Sequence, residues 1–105
     1  MYIYNVTINI DESIEEAWLH WMKSEHIPAM LATKKFSKAL MTKVLFEQEL
    51  GGVAYSVQYT TDSKATLDRY YAEDAPKLRP LSKPFEGKFV AFRTELEIID
   101  EQERT

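Results

Sequence analysis

The sequence predicts an α+β domain built on a four-stranded antiparallel sheet, and three observations carry that prediction. Apolar residues alternate with period two in separate stretches at 2–10, 53–59 and 90–98, as half-buried strands require. Two other stretches follow helical spacing: Ile14, Trp18, Trp21 and Met22, and then Leu67, Tyr70, Tyr71, Ala75 and Leu78. Between them, Gly51-Gly52 offers the positive φ angles of a two-residue hairpin, so the two middle strands are expected to be antiparallel neighbours.

Each element has its own signal. In the first strand Tyr2, Tyr4, Val6, Ile8 and Ile10 face one way, and Asn5, Thr7 and Asn9 face the other. Asp11-Glu12-Ser13 ends it, and Ser13 with Glu16 reads as a capping box that starts the first helix. Pro28 lacks an amide donor, so that helix should stop or kink near His26-Ile27 and continue briefly through Pro28-Ala29-Met30-Leu31. Residues 36–50 read as a long second strand. Val53, Tyr55, Val57 and Tyr59 alternate with Ala54, Ser56, Gln58 and Thr60 in the third. The polar cluster Thr60-Thr61-Asp62-Ser63 caps a second helix over 64–78, with Pro76 able to begin a separate turn. Pro80 and Pro84 make 80–87 irregular. Val90, Phe92, Thr94, Leu96 and Ile98 then mark the last strand, and 101–105 is a polar tail expected to fray.

The order βαββαβ, with right-handed crossovers, is the ferredoxin-like arrangement, in which both helices cover one face of the sheet. The other face is left open. On this reading it carries Asn5, Thr7, Ser56, Gln58 and Arg93 beside Ala39, Met41, Leu45, Phe89 and Ala91. A mixed apolar face of that size is an association surface, so a homodimer is expected.

Composition narrows the function. The chain has 105 residues, enough for one domain over 1–105 and too few for two cores. With 13 basic and 17 acidic residues its net charge is -4, and no Lys/Arg run or basic stripe points to nucleic acid. Cysteine is absent, which excludes disulfides, thiolate nucleophiles and Cys-ligated metals. The N-terminal Met1-Tyr2-Ile3-Tyr4-Asn5 has neither a basic nor an apolar leader region, and no apolar run approaches 18 residues. The expected address is therefore the cytoplasm, with no membrane partner. Only three glycines are present and none forms a phosphate-cradling loop, while no Ser-His-Asp set, HExxH or DxDxDG pattern is legible. No cofactor and no metal are expected.

A resemblance enters at Trp18-x-x-Trp21-x-x-x-x-His26-Ile27-Pro28, followed by Leu31-Ala32-Thr33 and Phe36. This pattern resembles the dimeric α+β barrel superfamily, which includes EthD-like proteins and antibiotic biosynthesis monooxygenases. Within it, Tyr4-Asn5-Val6-Thr7, Tyr55-Ser56-Val57-Gln58-Tyr59, Ala75-Pro76-x-Leu78-Arg79 and Lys88-Phe89-Val90-Ala91-Phe92-Arg93 are similar to a small bacterial family classed as a domain of unknown function. The resemblance spans nearly the whole chain. It implies two protomers packed sheet to sheet and a small-molecule cleft between sheet and helices. EthD-like members place a His near the end of the first helix, where His26 stands. The haem-degrading members pair an Asn on the first strand, matched by Asn5, with a Trp and a His on the second helix. Residues 64–78 contain neither, so haem is not expected.

His26 is the candidate catalytic residue, because an imidazole titrates near physiological pH and can move protons; the plainer reading is a cation closing a helix. His20 falls opposite the Trp stripe and reads as solvated. Trp21 is a candidate cleft residue, whereas Trp18 reads as core. Asn5 and Arg93 are candidates for holding an anion or a carbonyl oxygen, unless Arg93 pairs with a carboxylate such as Glu95 or one from the partner chain. Tyr55 is a candidate for a polar contact in the cleft. Two functions stay open: a cofactor-independent transformation of a small aromatic or carbonyl compound, or a non-catalytic dimeric module that binds a ligand or a protein.

Overall fold

The computed structural model describes residues 1–46, 49 and 51–105. Its four strands are β1 (Tyr2–Ile10), β2 (Lys38–Lys43), β3 (Val53–Thr61) and β4 (Phe89–Glu97). They form one sheet in the order β2-β3-β1-β4, with every neighbouring pair antiparallel. The first crossover contains α1 (Glu15–Trp21), a π turn (Met22–His26) and α2 (Ile27–Ala32). The second contains α3 (Lys64–Glu73), α4 (Ala75–Leu78) and a 3-10 segment, Arg79–Phe85. This is the ferredoxin-like architecture that the element order implies. Among the described residues no helix is long and apolar enough to cross a membrane.

Burial follows the strand periods closely on β1 and β3. Tyr4, Val6, Ile8 and Ile10 on β1, with Tyr55, Val57 and Tyr59 on β3, are buried under the helices. From above, Trp18, Met22, Met30, Leu67 and Tyr70 close the core, and Phe36 enters from the α2–β2 connection. An aromatic cluster dominates its α3 side. Tyr4 lies 6.0 Å from Phe36 and 5.4 Å from Tyr70, ring centre to ring centre, at separations favourable for aromatic pairs. Lys35 ties this corner together by pairing with Asp74 at 3.0 Å and Glu73 at 3.2 Å.

Several expectations are corrected by local geometry. The chain enters α1 through a 3-10 turn, Glu12–Ile14, and Asp11 rather than Ser13 caps it: its carboxylate accepts the Ser13 amide at 2.9 Å. An aspartate one step earlier captures the orphan donor before a Ser13–Glu16 box can form. Thr60 and Thr61 belong to β3, and Ser63 alone caps α3, accepting the Thr66 amide at 3.1 Å. β2 stops at Lys43 instead of running through 36–50, although Val44 still donates to the Ala54 carbonyl. Gly51-Gly52 therefore ends a longer connection rather than making a two-residue hairpin; Glu47, Gln48 and Leu50 lie outside the described residues. Both glycines keep positive φ, +78° and +83°. Gly52 also passes so close to β1 that a Cβ there would sit 2.7 Å from the Ile10 carbonyl.

The largest correction concerns sheet faces. Opposite residues of an antiparallel pair share a face, and Val6 opposes Arg93, Ile8 opposes Ala91, and Ile10 opposes Phe89. Arg93, Ala91 and Phe89 are thus on the helix face, as are Ala39 and Met41, which oppose Tyr59 and Val57. Leu45 lies beyond the end of β2. The open face instead carries Leu40, Val90, Phe92 and Leu96 beside Asn5, Thr7, Ser56 and Gln58. It is still mixed and apolar, but through the opposite residues of β2 and β4.

Candidate functional site

Pro28 shapes the site. It has no amide to donate, and in a straight helix its ring would press on the carbonyl four residues back, at Ser24. The helix widens just before it: the Ile27 amide donates to the Met22 carbonyl, five residues back. The Ser24 hydroxyl donates to the His20 carbonyl at 2.7 Å, satisfying a group near the widened turn. His26, the last residue of that turn, lies against the sheet side of the helical layer.

There it meets a cavity of about 60 Å³ between the helices and the β1–β4 half of the sheet. Tyr4, Val6 and Ile8 form its floor, and Ala91 and Arg93 stand along its β4 side. Trp21, His26 and Met30 line it from the first crossover, and Arg79 and Ser82 from the second. Arg79, Ser82 and Phe89 also border an outer groove of about 510 Å³, so cavity and groove share a wall beside the 3-10 segment.

The His26 ring stacks on Trp21, with centres 4.8 Å apart and planes 22° from parallel. Its Nδ1 is buried without a hydrogen-bond partner among the described residues. Buried polar atoms are almost always paired, so this nitrogen stands out, as does the Thr61 hydroxyl, the other such side-chain atom among the described residues. Burial, and secondarily the Arg93 guanidinium, push the imidazole down to about 4, so it is neutral at physiological pH. Arg93 takes no ion pair among the described residues. The partner expected for it, Glu95, instead meets Lys64 at 2.8 Å through one oxygen and the Tyr71 hydroxyl at 2.8 Å through the other. Arg79 donates to the Tyr4 hydroxyl at 3.1 Å, which fixes its guanidinium over the cavity floor.

His26, Trp21 and Arg93 thus come together, as do Trp18 and Met22 behind them. Asn5 and Tyr55 do not join them. Asn5 lies on the open face, accepting from the Ser56 hydroxyl at 2.8 Å and donating to Thr7 at 3.2 Å. Tyr55 faces the helices but spends its hydroxyl on Glu15 at 2.6 Å, beside Lys43, at the far side of Trp18. Burial first, and then the Glu15 contact, push its phenol up to about 12. His20 is exposed on the outer face of α1. Arg79 was not among the candidates. Its signal was available: an arginine at the start of the Pro-rich stretch after a helix, where connecting segments often carry function. Among the described residues no group of three or more His, Asp, Glu or Cys is placed to hold a metal ion.

A βαββαβ chain with helices on one face of an antiparallel sheet, and a cleft between the layers, defines a ferredoxin-like α+β protein. The chain belongs to the family described as domain of unknown function DUF4286, whose model matches residues 1–99. No curated protein matches it. Solved structures match over nearly their full length. A dimeric ferredoxin-like protein from an uncultured marine organism is similar with TM-score 0.70 at 12% identity, over 96% of this chain and 97% of that one. An EthD-family protein from Bacillus halodurans gives 0.64 at 12% identity, over 94% and 100%. A variant of a cofactor-independent oxygenase from Streptomyces nogalater gives 0.64 at 10% identity, over 95% and 94%. The superfamily likeness seen in the Trp-x-x-Trp and His-x-Pro pattern is therefore met at the level of fold.

Proposed function

We propose that the protein binds a small aromatic or carbonyl-containing molecule in the cleft between helices and sheet, and moves a proton on it through His26 without a cofactor. One observation carries this reading: the buried, unpartnered Nδ1 of His26 at the cavity wall. With its proton on Nε2, the neutral ring presents Nδ1 as an acceptor, ready for a ligand O–H or an acidic C–H. As negative charge grows on the ligand, the same charge raises the imidazole's basicity, so proton transfer becomes easier as it proceeds. Trp21 supplies a flat wall on which the imidazole is held. Asn5 has no part in this chemistry, because it lies on the opposite side of the sheet. A cofactor-independent oxygenase among the similar folds gives the reading company but no residue-level support.

Benzoylacetone, an aromatic β-diketone, is a suitable probe. In D₂O, the wild-type protein is expected to exchange its central methylene protons faster than buffer does, as followed by NMR. His26→Ala should lower that rate by roughly 10²-fold or more, the usual range for a positioned general base. Retained binding with no catalysed exchange in wild type would support the non-catalytic module instead.

The protein works as a homodimer joined through the open sheet face. Leu40 is 60% exposed and Phe92 63% exposed on that face, and a similar fold is described as dimeric. The clefts lie on the other side of each sheet, one per protomer. Sedimentation at tens of micromolar should give twice the 12.3 kDa chain mass, and Phe92→Glu should shift it to the single-chain value. A wild-type monomer at that concentration would remove this part of the proposal.

A further inference from the structure

We propose that the cleft selects an anion, specifically a planar aromatic or enolic carboxylate, and that Arg93 with Arg79 is its seat. This inference rests on the cleft being a ligand site and names the chemistry of what enters. The chain as a whole is acidic, with net charge -4, yet among the described residues the cavity is lined by two arginines and by no aspartate or glutamate. Such a local reversal of sign selects ligands by charge. The carboxylate best placed to neutralise Arg93 is Glu95, two residues along on the same face of β4, and both of its oxygens are already engaged by Lys64 and Tyr71. Arg93 therefore keeps its full fork of donors. Opposite it on β1 stands Val6, and two residues before it stands Ala91, so no large side chain crowds the guanidinium within the sheet.

The geometry also argues for a carboxylate rather than a compact or neutral group. A guanidinium matches the two oxygens of a planar anion, which a single point charge does not. Arg79 holds its position through Tyr4 with one nitrogen, leaving its other donors for the ligand. Beside the arginines one wall is flat, where Trp21 is stacked with His26. On this proposal the planar ligand body lies against that wall, with its anion at the arginine end. Among the described residues the only acid at the outer groove is Glu86, which borders that groove and not the cavity.

Benzoate and benzamide, nearly equal in shape but one an anion and the other neutral, test this by NMR titration of the full chain. Benzoate is expected to bind at least tenfold more tightly than benzamide in wild type. Arg93→Met should bring the two within about twofold, whereas Arg93→Lys, which keeps charge but loses the fork, should retain part of the preference. Arg93 is exposed, so both variants are expected to fold, and their amide spectra check this directly. Equal affinities in wild type, or a benzoate preference untouched in Arg93→Met, would overturn the inference while leaving the cleft reading intact. Binding of benzoylacetone without binding of benzoate would do the same. Binding of none of the three would overturn both.

Discussion

Replacing Trp18 by alanine is expected to destabilise the protein by about 3 to 5 kcal/mol, the usual cost of emptying a buried aromatic site. The indole is only 2% exposed and lies 5.2 Å from the Tyr55 ring, centre to centre. Its removal loses the transfer free energy of the whole side chain. It also leaves a void between α1 and β3 that the closed sheet register cannot collapse to fill. Against a total stability of roughly 5 to 15 kcal/mol, that loss brings a domain of this size close to unfolding. Urea denaturation followed by circular dichroism reads it directly. Trp21→Ala provides the contrast, because that ring is half-buried at the cleft wall and should cost clearly less. A Trp21 variant as unstable as the Trp18 variant would show that both rings belong to the core and that no cleft separates them.

Stability should fall by about 3 kcal/mol as pH drops from about 6.5 to about 4, through His26 alone, at about 1.36 kcal/mol per pKa unit. The unfolded imidazole titrates near its model value of 6.5, and the folded one is held at about 4 by burial and by Arg93. Between those values the unfolded chain takes up a proton that the folded chain refuses. Stability therefore rises with pH across this window and is complete above about 6.5. Glu15 and Glu95 act in the same sense but lower on the pH scale. Their carboxylates are held below the ordinary range, chiefly by Tyr55 for Glu15 and by Lys64 for Glu95. Their stabilisation is lost only as they protonate. His26→Phe keeps both carboxylates and a flat ring on Trp21, so the difference between the two pH profiles isolates the imidazole. Urea midpoints at fixed protein concentration across this range are the measurement; parallel profiles for wild type and His26→Phe would sink the claim.

The same imidazole shows how far the sequence could be read. His-x-Pro at the end of an aromatic helix singles it out, because proline forces the helix to adjust just there. Whether that adjustment turns His26 toward solvent or toward the sheet depends on a π turn one residue wider than the α-helical ladder. Nothing in residues 22–26 announces that widening, since the α-helical and the widened bond differ by little. Arg93 repeats the lesson on a strand. Its alternation with Phe92 and Thr94 says only that the two sets face opposite ways, not which set faces the helices. β4 reads with apolar residues on both sides, Val90 and Phe92 on one and Phe89 and Ala91 on the other, so burial preference alone does not choose. A one-residue change of register moves every side chain to the other face.

Local order was legible where a pattern is unambiguous over a whole element. β1 alternates from Tyr4 to Ile10, with Ile3 the one apolar residue on its open face, and its buried and open faces are those its residues name. The order βαββαβ, the antiparallel neighbours in the middle and the helix layer on one face follow from periodicity and chain connectivity, which act over short distances. The ends of elements were less legible, because Asp11 and Ser13 compete for the same orphan amides and only geometry decides between them. What the tertiary structure alone decided is the site. Pairing β4 against β1 brings Arg93 to His26, some 67 positions earlier in the chain, and sends Asn5 to the other side of the sheet. It also gives Glu95 to Lys64 and Tyr71, so that Arg93 takes no ion pair among the described residues. Sequence periodicity ranks which residues are buried. The identity of the neighbours they meet is settled by strand register and by competition for partners, and those are properties of the folded chain.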